Sequence, residues 1–273
     1  IKIKNHIEKD HREYASYDNK RNIAHISDGL KPSQRKVIYT AIKTLSRGSI
    51  TKVANLGSRA SDFTHYQHGE NSIVDTTIGL AQSFPGANNL PLLEGHGQFG
   101  TMIDYEASEP RYIYVSLSKN LDSLLKPEDE DILIKQENDG DPIEPKFFLT
   151  TLPLLLINGS SGVGNGYSST ILPRDPKCVA KAIKLYVKAK DKEDAALLAK
   201  LDVLLLPSFK GFKGLVKKVD RQYQIHGNVS KVGKTRLLID SLPPDSKYQY
   251  ESYKKKSLLP LLDKKVIRGF SDN

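Results

Sequence analysis

The 273-residue sequence carries 41 Lys and Arg against 32 Asp and Glu, a formal net charge of +9, with one cysteine and no tryptophan. A chain of this length buries a substantial core, as one large domain or two ordinary ones. The lone Cys178 excludes an internal disulfide and fits a reducing compartment, and the longest apolar run, Phe147 to Ile157, is too short for a bilayer and is broken by Pro153. No signal peptide is expected, and a start at Ile1 instead of Met reads as a trimmed chain. The positive surplus is uneven. Residues 201–273 hold fifteen Lys/Arg and seven Asp/Glu, and Gly29 to Ser61 holds seven Lys/Arg and no carboxylate. Such clustering fits either a polyanion-binding surface or a solvated basic face.

In chain order, Ile7 to Ile26 reads as a helix whose few apolar residues, Ile7, Tyr14, Tyr17 and Ile23, are scattered among charges, so it is predicted to be a polar arm. Asp28-Gly29 breaks it, and Lys31-Pro32-Ser33 restarts a helix running to about Leu45. There Val37, Ile38, Ala41, Ile42 and Leu45 recur at helical spacing and face a core, leaving Arg35, Lys36 and Lys43 mostly outside. Gly48 to Gly57 reads as a break, Arg59 to Phe63 as a short helix, and Glu70 to Phe84 as a further helix burying Ile73, Thr77, Leu80 and Ala81. Short helices followed by a loop and a strand are the pattern of a winged helix-turn-helix, with Ser72 to Gln82 as recognition helix. Lys126 to Pro145, with eight carboxylates and two lysines, reads as a solvated connection. Beyond Phe147 come apolar strands, a glycine loop, helices from Asp175 to Lys190 and from Lys192 to Leu201, and the strand-like stretches GLVKKV, RQYQIHG and KTRLLIDSL. The predicted fold class is α+β: a helical arm (1–26), a winged-helix domain (27–148) and an α/β lobe (149–273).

The chemistry concentrates after the glycine loop Gly95 to Gly100. Pro110 cannot donate to a ladder and biases Glu109 toward extended backbone, so Arg111 and Tyr112 are predicted to open the strand IYVSL. Arg holds phosphate bidentately, and a tyrosine oxygen is one of the few side-chain nucleophiles that form covalent intermediates. The competing reading packs Tyr112 and Tyr114 on one strand face, as aromatic residues commonly do. Gly162-Val163-Gly164-Asn165-Gly166 has GxGxG spacing, which lacks the third glycine of a dinucleotide loop, and Gly233-Lys234-Thr235 lacks the upstream glycine of a phosphate loop. His65 and His68, with Glu70 nearby, form a weak ligand set and serve equally well as donors to phosphate.

The block HYQHGENSIVDTTIGLAQSFPGANNLPLLEGHGQFGT (65–101), followed by ASEPRYIY, resembles the breakage-reunion region of type IIA DNA topoisomerases, the family of gyrase A, topoisomerase IV and eukaryotic topoisomerase II. DGLKPSQRKVIY (28–39) and NGSSGVGNGYSSTILP (158–173) are two further signatures in the family's order. The resemblance implies that Tyr112 attacks a DNA phosphate and becomes linked to the 5′ end, that Arg111 stabilises charge on the phosphate oxygens, and that His68 helps hold the same phosphate. It implies DNA contacts from Lys31, Arg35, Lys36, His65, Asn71 and Ser72, and a DNA-bending wedge at Val163, for which a buried valine is the alternative. The four glycines flanking Val163 would let a backbone approach the duplex. It further implies double-stranded DNA as substrate, a homodimer, an ATPase and metal-binding partner like gyrase B, Mg²⁺ held mainly by that partner, ATP used by it, no metal or nucleotide bound by this chain alone, an arm leaning on that partner, and a location with the DNA inside the cell, without membrane attachment. Asn71, where bacterial members often have serine, and Gln67, commonly His or Pro, depart from the cellular pattern and suggest a phage or viral member. The family's full-length protein continues beyond this sequence into a coiled-coil arm and exit gate. The alternative from another class is a non-catalytic winged-helix DNA-binding protein; a recombinase-like strand transferase would need a larger Arg and His set around its tyrosine.

Overall fold

The computed structural model describes residues 3–191, 195–244 and 249–271. The arm is one helical stretch, α1 (Ile3–Asn5), a π-helical turn (His6–His11) and α2 (Arg12–Asn22), and none of its residues is buried. Lys4 with Glu8 and His6 with Asp10 pair one helical turn apart, which suits a helix that keeps both flanks in water. The polar arm predicted from the sequence is therefore present.

Pro32 opens α3 (Pro32–Thr44), where the missing N–H costs nothing, and the Gln34 side chain accepts from the Lys31 backbone N–H. Helix α4 (Val53–Phe63) begins six residues earlier than predicted, and α5 (Glu70–Ala81) follows. Gly57 lies where α4 crosses α5: a Cβ there would come within 2.6 Å of Val74 Cγ2. Strands β1 (Thr51–Lys52), β2 (Leu93–His96) and β3 (Tyr114–Leu117) form an antiparallel sheet in the order β1-β3-β2. Val37, Ile38 and Ala41 of α3, Leu56 of α4, Ile73 of α5, and Leu93 and Val115 of the sheet are fully enclosed in a single core. Three helices closed by a three-stranded wing are the winged helix-turn-helix that the sequence pattern predicts.

Beyond the wing lie α6 (Leu121–Leu124), a 3₁₀ turn (Pro127–Ile132) and a hairpin of β4 (Lys135–Asn138) with β5 (Asp141–Pro145). The acidic stretch is thus folded back on itself, because Glu144 is drawn inside to meet Lys36. The run after Phe147 forms α7 (Leu154–Asn158) instead of a strand, since a short apolar run has no period that separates the two. A second hairpin joins β6 (Ser160–Gly164) to β7 (Tyr167–Ile171). Helix α8 (Pro176–Asp191) is followed by α9 (Ala195–Leu204); the predicted start of α9 at Lys192 lies outside the described residues. Strands β8 (Leu215–Val219) and β9 (Gln222–His226) form one hairpin, and β10 (Asn228–Val232), absent from the sequence-based expectation, forms another with β11 (Arg236–Ser241). The described chain ends in α10 (Tyr250–Tyr253), a π-helical turn (Lys254–Leu258) and α11 (Leu259–Asp263). Every strand pair in this lobe is antiparallel among the described residues, and the class is α+β throughout.

Side-chain amides tie the lobe to the winged helix. Asn89 is buried; it donates to the carbonyls of Arg174 and Ser208 and accepts from the Lys210 N–H, all within 2.9 Å. Asn158 and Leu90 exchange two bonds, with the Leu90 N–H donating at 2.8 Å and the Asn158 amide returning one at 2.9 Å. Buried backbone groups at the junction are satisfied in this way.

Candidate active site

Arg111 and Tyr112 do not open the strand; they sit on a turn just before β3, and Tyr112 is 68% exposed. The alternation that would have packed Tyr112 beside Tyr114 starts too late to include it. The turn is nevertheless fixed on both flanks. The first N–H groups of α4, which have no partner inside the helix, are taken up by it: Val53 donates to the Ile113 carbonyl at 3.0 Å and Ala54 to that of Pro110 at 3.2 Å. On the other side the Gln98 side chain accepts from Gly100 and Ser108, and the Gln82 amide donates to the carbonyls of Phe99 and Tyr105. Gly97 and Gly100 take positive φ, and a Cβ on Gly100 would press within 2.7 Å of the Tyr105 carbonyl, so the loop needs glycine there. The phenol is thus an exposed side chain on a rigid backbone. Above its ring lies the Arg111 guanidinium, 5.1 Å from the centroid and 4.0 Å from Glu109.

The two histidines have different partners. His65, in a left-handed conformation, turns to Asp141 (3.3 Å) and Asp139 (3.9 Å) of the β4–β5 hairpin. His68 meets Tyr17 of the arm, Nε2 to Oη 2.5 Å, and the Tyr66 ring packs edge-on against it at 5.3 Å. Burial, and then the Arg21 cation, hold the His68 imidazole below its ordinary value of 6.5, favouring the neutral ring. Asn71 and Ser72 are exposed on the first turn of α5, where the Ser72 hydroxyl accepts from Tyr66.

The DGLKP segment is built differently from the expectation. Arg35, read as outward facing, has a side chain only 4% exposed; Nε donates to Asp28 Oδ2 at 2.7 Å, and Nη2 to Oδ1 and to the Leu30 carbonyl, both at 3.0 Å. Asp28 is wholly buried and also accepts from the N–H groups of Leu30 and Phe148. The buried pair holds the segment together and commits Nε and Nη2 of Arg35 to Asp28 and the Leu30 carbonyl. Lys36 is similarly engaged, with Glu144 at 3.0 Å and the Thr64 carbonyl at 2.7 Å. Lys31 remains at the surface, donating once to the Ser161 carbonyl at 2.8 Å, and partial burial lowers its pKa. Lys52 and Arg59 are exposed and in no ion pair among the described residues, and Lys52 stands opposite Tyr114 in the sheet. Within the basic run nothing distinguishes Lys52; only the strand pairing places it beside the tyrosine turn.

Val163 projects from the β6–β7 hairpin, paired with Ser168 and 75% exposed, so it is not a core valine. Two of its flanking glycines lie against the arm. A Cβ on Gly162 would collide with the Asn22 carbonyl, and one on Gly164 with the Asn19 side chain, so both make room for α2. The Asn19 amide then bonds the Asn165 carbonyl at 3.2 Å. The arm and Lys31 together brace the hairpin that carries Val163.

Among the described residues no three His, Cys, Asp or Glu side chains are gathered to hold a metal, and no helix is long and apolar enough to cross a membrane. Gly233-Lys234-Thr235 is the turn of the β10–β11 hairpin, not the start of a helix, as its spacing indicated.

A family model that describes the A subunit of DNA gyrase/topoisomerase IV matches residues 21–273. DNA topoisomerase 2 of Candida glabrata is 36% identical over 246 residues, 89% of this chain and 17% of that protein. Human DNA topoisomerase 2-alpha is 36% identical over 253 residues, 92% of this chain and 16% of that protein. The chain therefore spans about a sixth of the length of these curated relatives. The topoisomerase II DNA-binding, cleavage and re-ligation domain of Plasmodium falciparum superposes with a TM-score of 0.85 at 34% identity, over 98% of this chain and 35% of that one. These relatives are eukaryotic, and the expectation of a phage or viral origin gains no support from them; nor does the reading as a non-catalytic DNA-binding protein. The chain belongs to the family of the DNA gyrase/topoisomerase IV A subunit and corresponds to the breakage-reunion region of type IIA topoisomerases.

Proposed function

We infer that this chain is the DNA-cleaving and rejoining part of an ATP-dependent type II topoisomerase, with Tyr112 as nucleophile. The observation that carries the assignment is a mostly exposed phenol on a turn tied down from both flanks, with a guanidinium beside it. The Tyr112 oxygen attacks a backbone phosphorus, giving up its proton as the new P–O bond forms. The P–O3′ bond breaks, leaving a free 3′ hydroxyl and a 5′ phosphotyrosyl link. Because one phosphoester replaces another, resealing is the reverse reaction and needs no nucleotide. Arg111 steadies the charge on the phosphate oxygens, and His68 donates to the same phosphate. Lys31, Lys52, Asn71 and Ser72 contact the duplex, and Val163 wedges between base pairs to bend it. Arg35, Lys36 and His65 support the site through their carboxylate partners instead of touching DNA.

The divisions at 26 and 148 separate arm, winged helix and lobe as functional parts. Among the described residues no acidic cluster is gathered for a metal, and Mg²⁺ and the ATPase are assigned to a second polypeptide or domain like gyrase B. Two copies related by a two-fold axis cut opposite strands, and the protein works where the cell keeps its DNA. The test is reconstitution. The purified chain with Mg²⁺ is expected to cut nothing, and adding the metal-bearing partner is expected to produce covalent DNA complexes. Cutting by the chain alone would overturn the division of labour.

A further inference from the structure

We propose that Tyr17 of the arm helix is a positioning residue for His68: its hydroxyl donates to Nε2, fixing the imidazole as the neutral Nδ1–H tautomer, so that Nδ1–H is the donor offered to the phosphate. The inference rests on the role given to His68 above. The contact spans 51 residues of sequence at 2.5 Å, and it is the sole hydrogen bond made by either side chain among the described residues. A phenol is a good donor and a poor acceptor, whereas a neutral imidazole has one acceptor nitrogen, so donation from Oη to Nε2 is the stronger of the two arrangements. Once Nε2 is occupied, the remaining proton must sit on Nδ1. Tyr66, edge-on against the ring and itself bonded to Ser72, limits rotation of the imidazole. Burial and Arg21, on the same face of the arm one turn on from Tyr17, favour the neutral form that this arrangement requires.

The arm that supplies Tyr17 is held against the β6–β7 hairpin through Gly162, Gly164 and Asn19. One rigid helix therefore contacts both the residue assigned to the phosphate and the hairpin assigned to bending. A change in the arm's seating would alter the tautomer and the wedge together.

The experiment compares the whole chain with its Tyr17→Phe variant, using ¹⁵N-histidine spectra in which His68→Gln identifies the signal. The two ring nitrogens have well-separated shifts, so the spectra report the tautomer directly. The expected result is a dominant Nδ1–H form in the parent and a shift toward Nε2–H in Tyr17→Phe, with the thermal melt unchanged. With the metal-bearing partner added, cleavage by Tyr17→Phe should fall about fivefold, the factor expected for one hydrogen bond of ordinary strength, at unchanged DNA affinity. In a His68→Gln background the same substitution should have no further effect on cleavage. An Nε2–H parent, or spectra indifferent to Tyr17→Phe, would overturn the proposal whatever the cleavage result. The predicted tautomer change without any loss of cleavage in His68→Gln would instead refute the phosphate role of His68.

Discussion

Replacing Arg35 with Ala distinguishes a structural cation from a DNA-binding one. The substitution removes three hydrogen bonds and leaves Asp28 as a wholly buried carboxylate with only the Leu30 and Phe148 N–H groups as donors. Stranding one member of a buried pair costs about 3–5 kcal/mol. For a chain of this size that lowers the melting temperature by about 6–20 °C. Asp28→Asn/Arg35→Met removes both charges and should recover part of the loss, giving a coupling that only residues in contact show. The assay is a thermal melt with and without duplex DNA, followed by binding over a range of salt concentrations at a temperature where the variant is folded. The salt dependence of binding by Arg35→Ala should match the parent, whereas Lys31→Ala should lower the slope by about one unit, the signature of one lost phosphate contact. A melt within about 0.5 kcal/mol of the parent, as surface substitutions give, together with a reduced slope, would show that Arg35 faces DNA and would refute the reasoning.

Two further outcomes follow from the geometry. Val163→Ala should reduce DNA bending, read by energy transfer across a short labelled duplex, and cleavage with it, while the melt moves by less than about 0.5 kcal/mol because the side chain is exposed; Val163→Ile should bend DNA at least as well. Asn89→Ala strands three backbone groups at the junction and should cost about 2–3 kcal/mol in denaturant unfolding, with faster proteolysis between the winged helix and the lobe.

Much of this arrangement is legible in the residues. The helical spacing of Val37, Ile38 and Ala41 marks the core face of α3, and the order of the HGE, IGLAQ, GQFGT and PRYI stretches picks out the tyrosine turn. Charge misleads, because the sequence between Gly29 and Ser61 lacks carboxylates and the fold supplies them. Asp28, Glu144, Glu130 and Asp122, all from outside the run, pair with Arg35, Lys36, Lys43 and Arg47. A linear charge count cannot see partners delivered by other elements. Glycine is ambiguous for a related reason, since Gly162 and Gly164 make room for the arm helix, and the sequence shows that space is needed without showing for what. The β10 strand escapes notice because only Gly227 separates it from β9. Tyr17 carries no local signal at all. It is one of thirteen tyrosines, on a helix read as polar, and only the folded arm brings it to His68.

The central claim is that the Tyr112 oxygen forms the bond to DNA. Denaturing the reconstituted cleavage complex, digesting it and sequencing the nucleotide-bearing peptide by mass spectrometry tests it directly. The account predicts a single modified peptide containing Arg111 and Tyr112, linked to a 5′ phosphate with a free 3′ hydroxyl on the other side of the break, and no adduct from Tyr112→Phe. A modified peptide elsewhere in the chain, a 3′ linkage, or an undiminished adduct in Tyr112→Phe would contradict it.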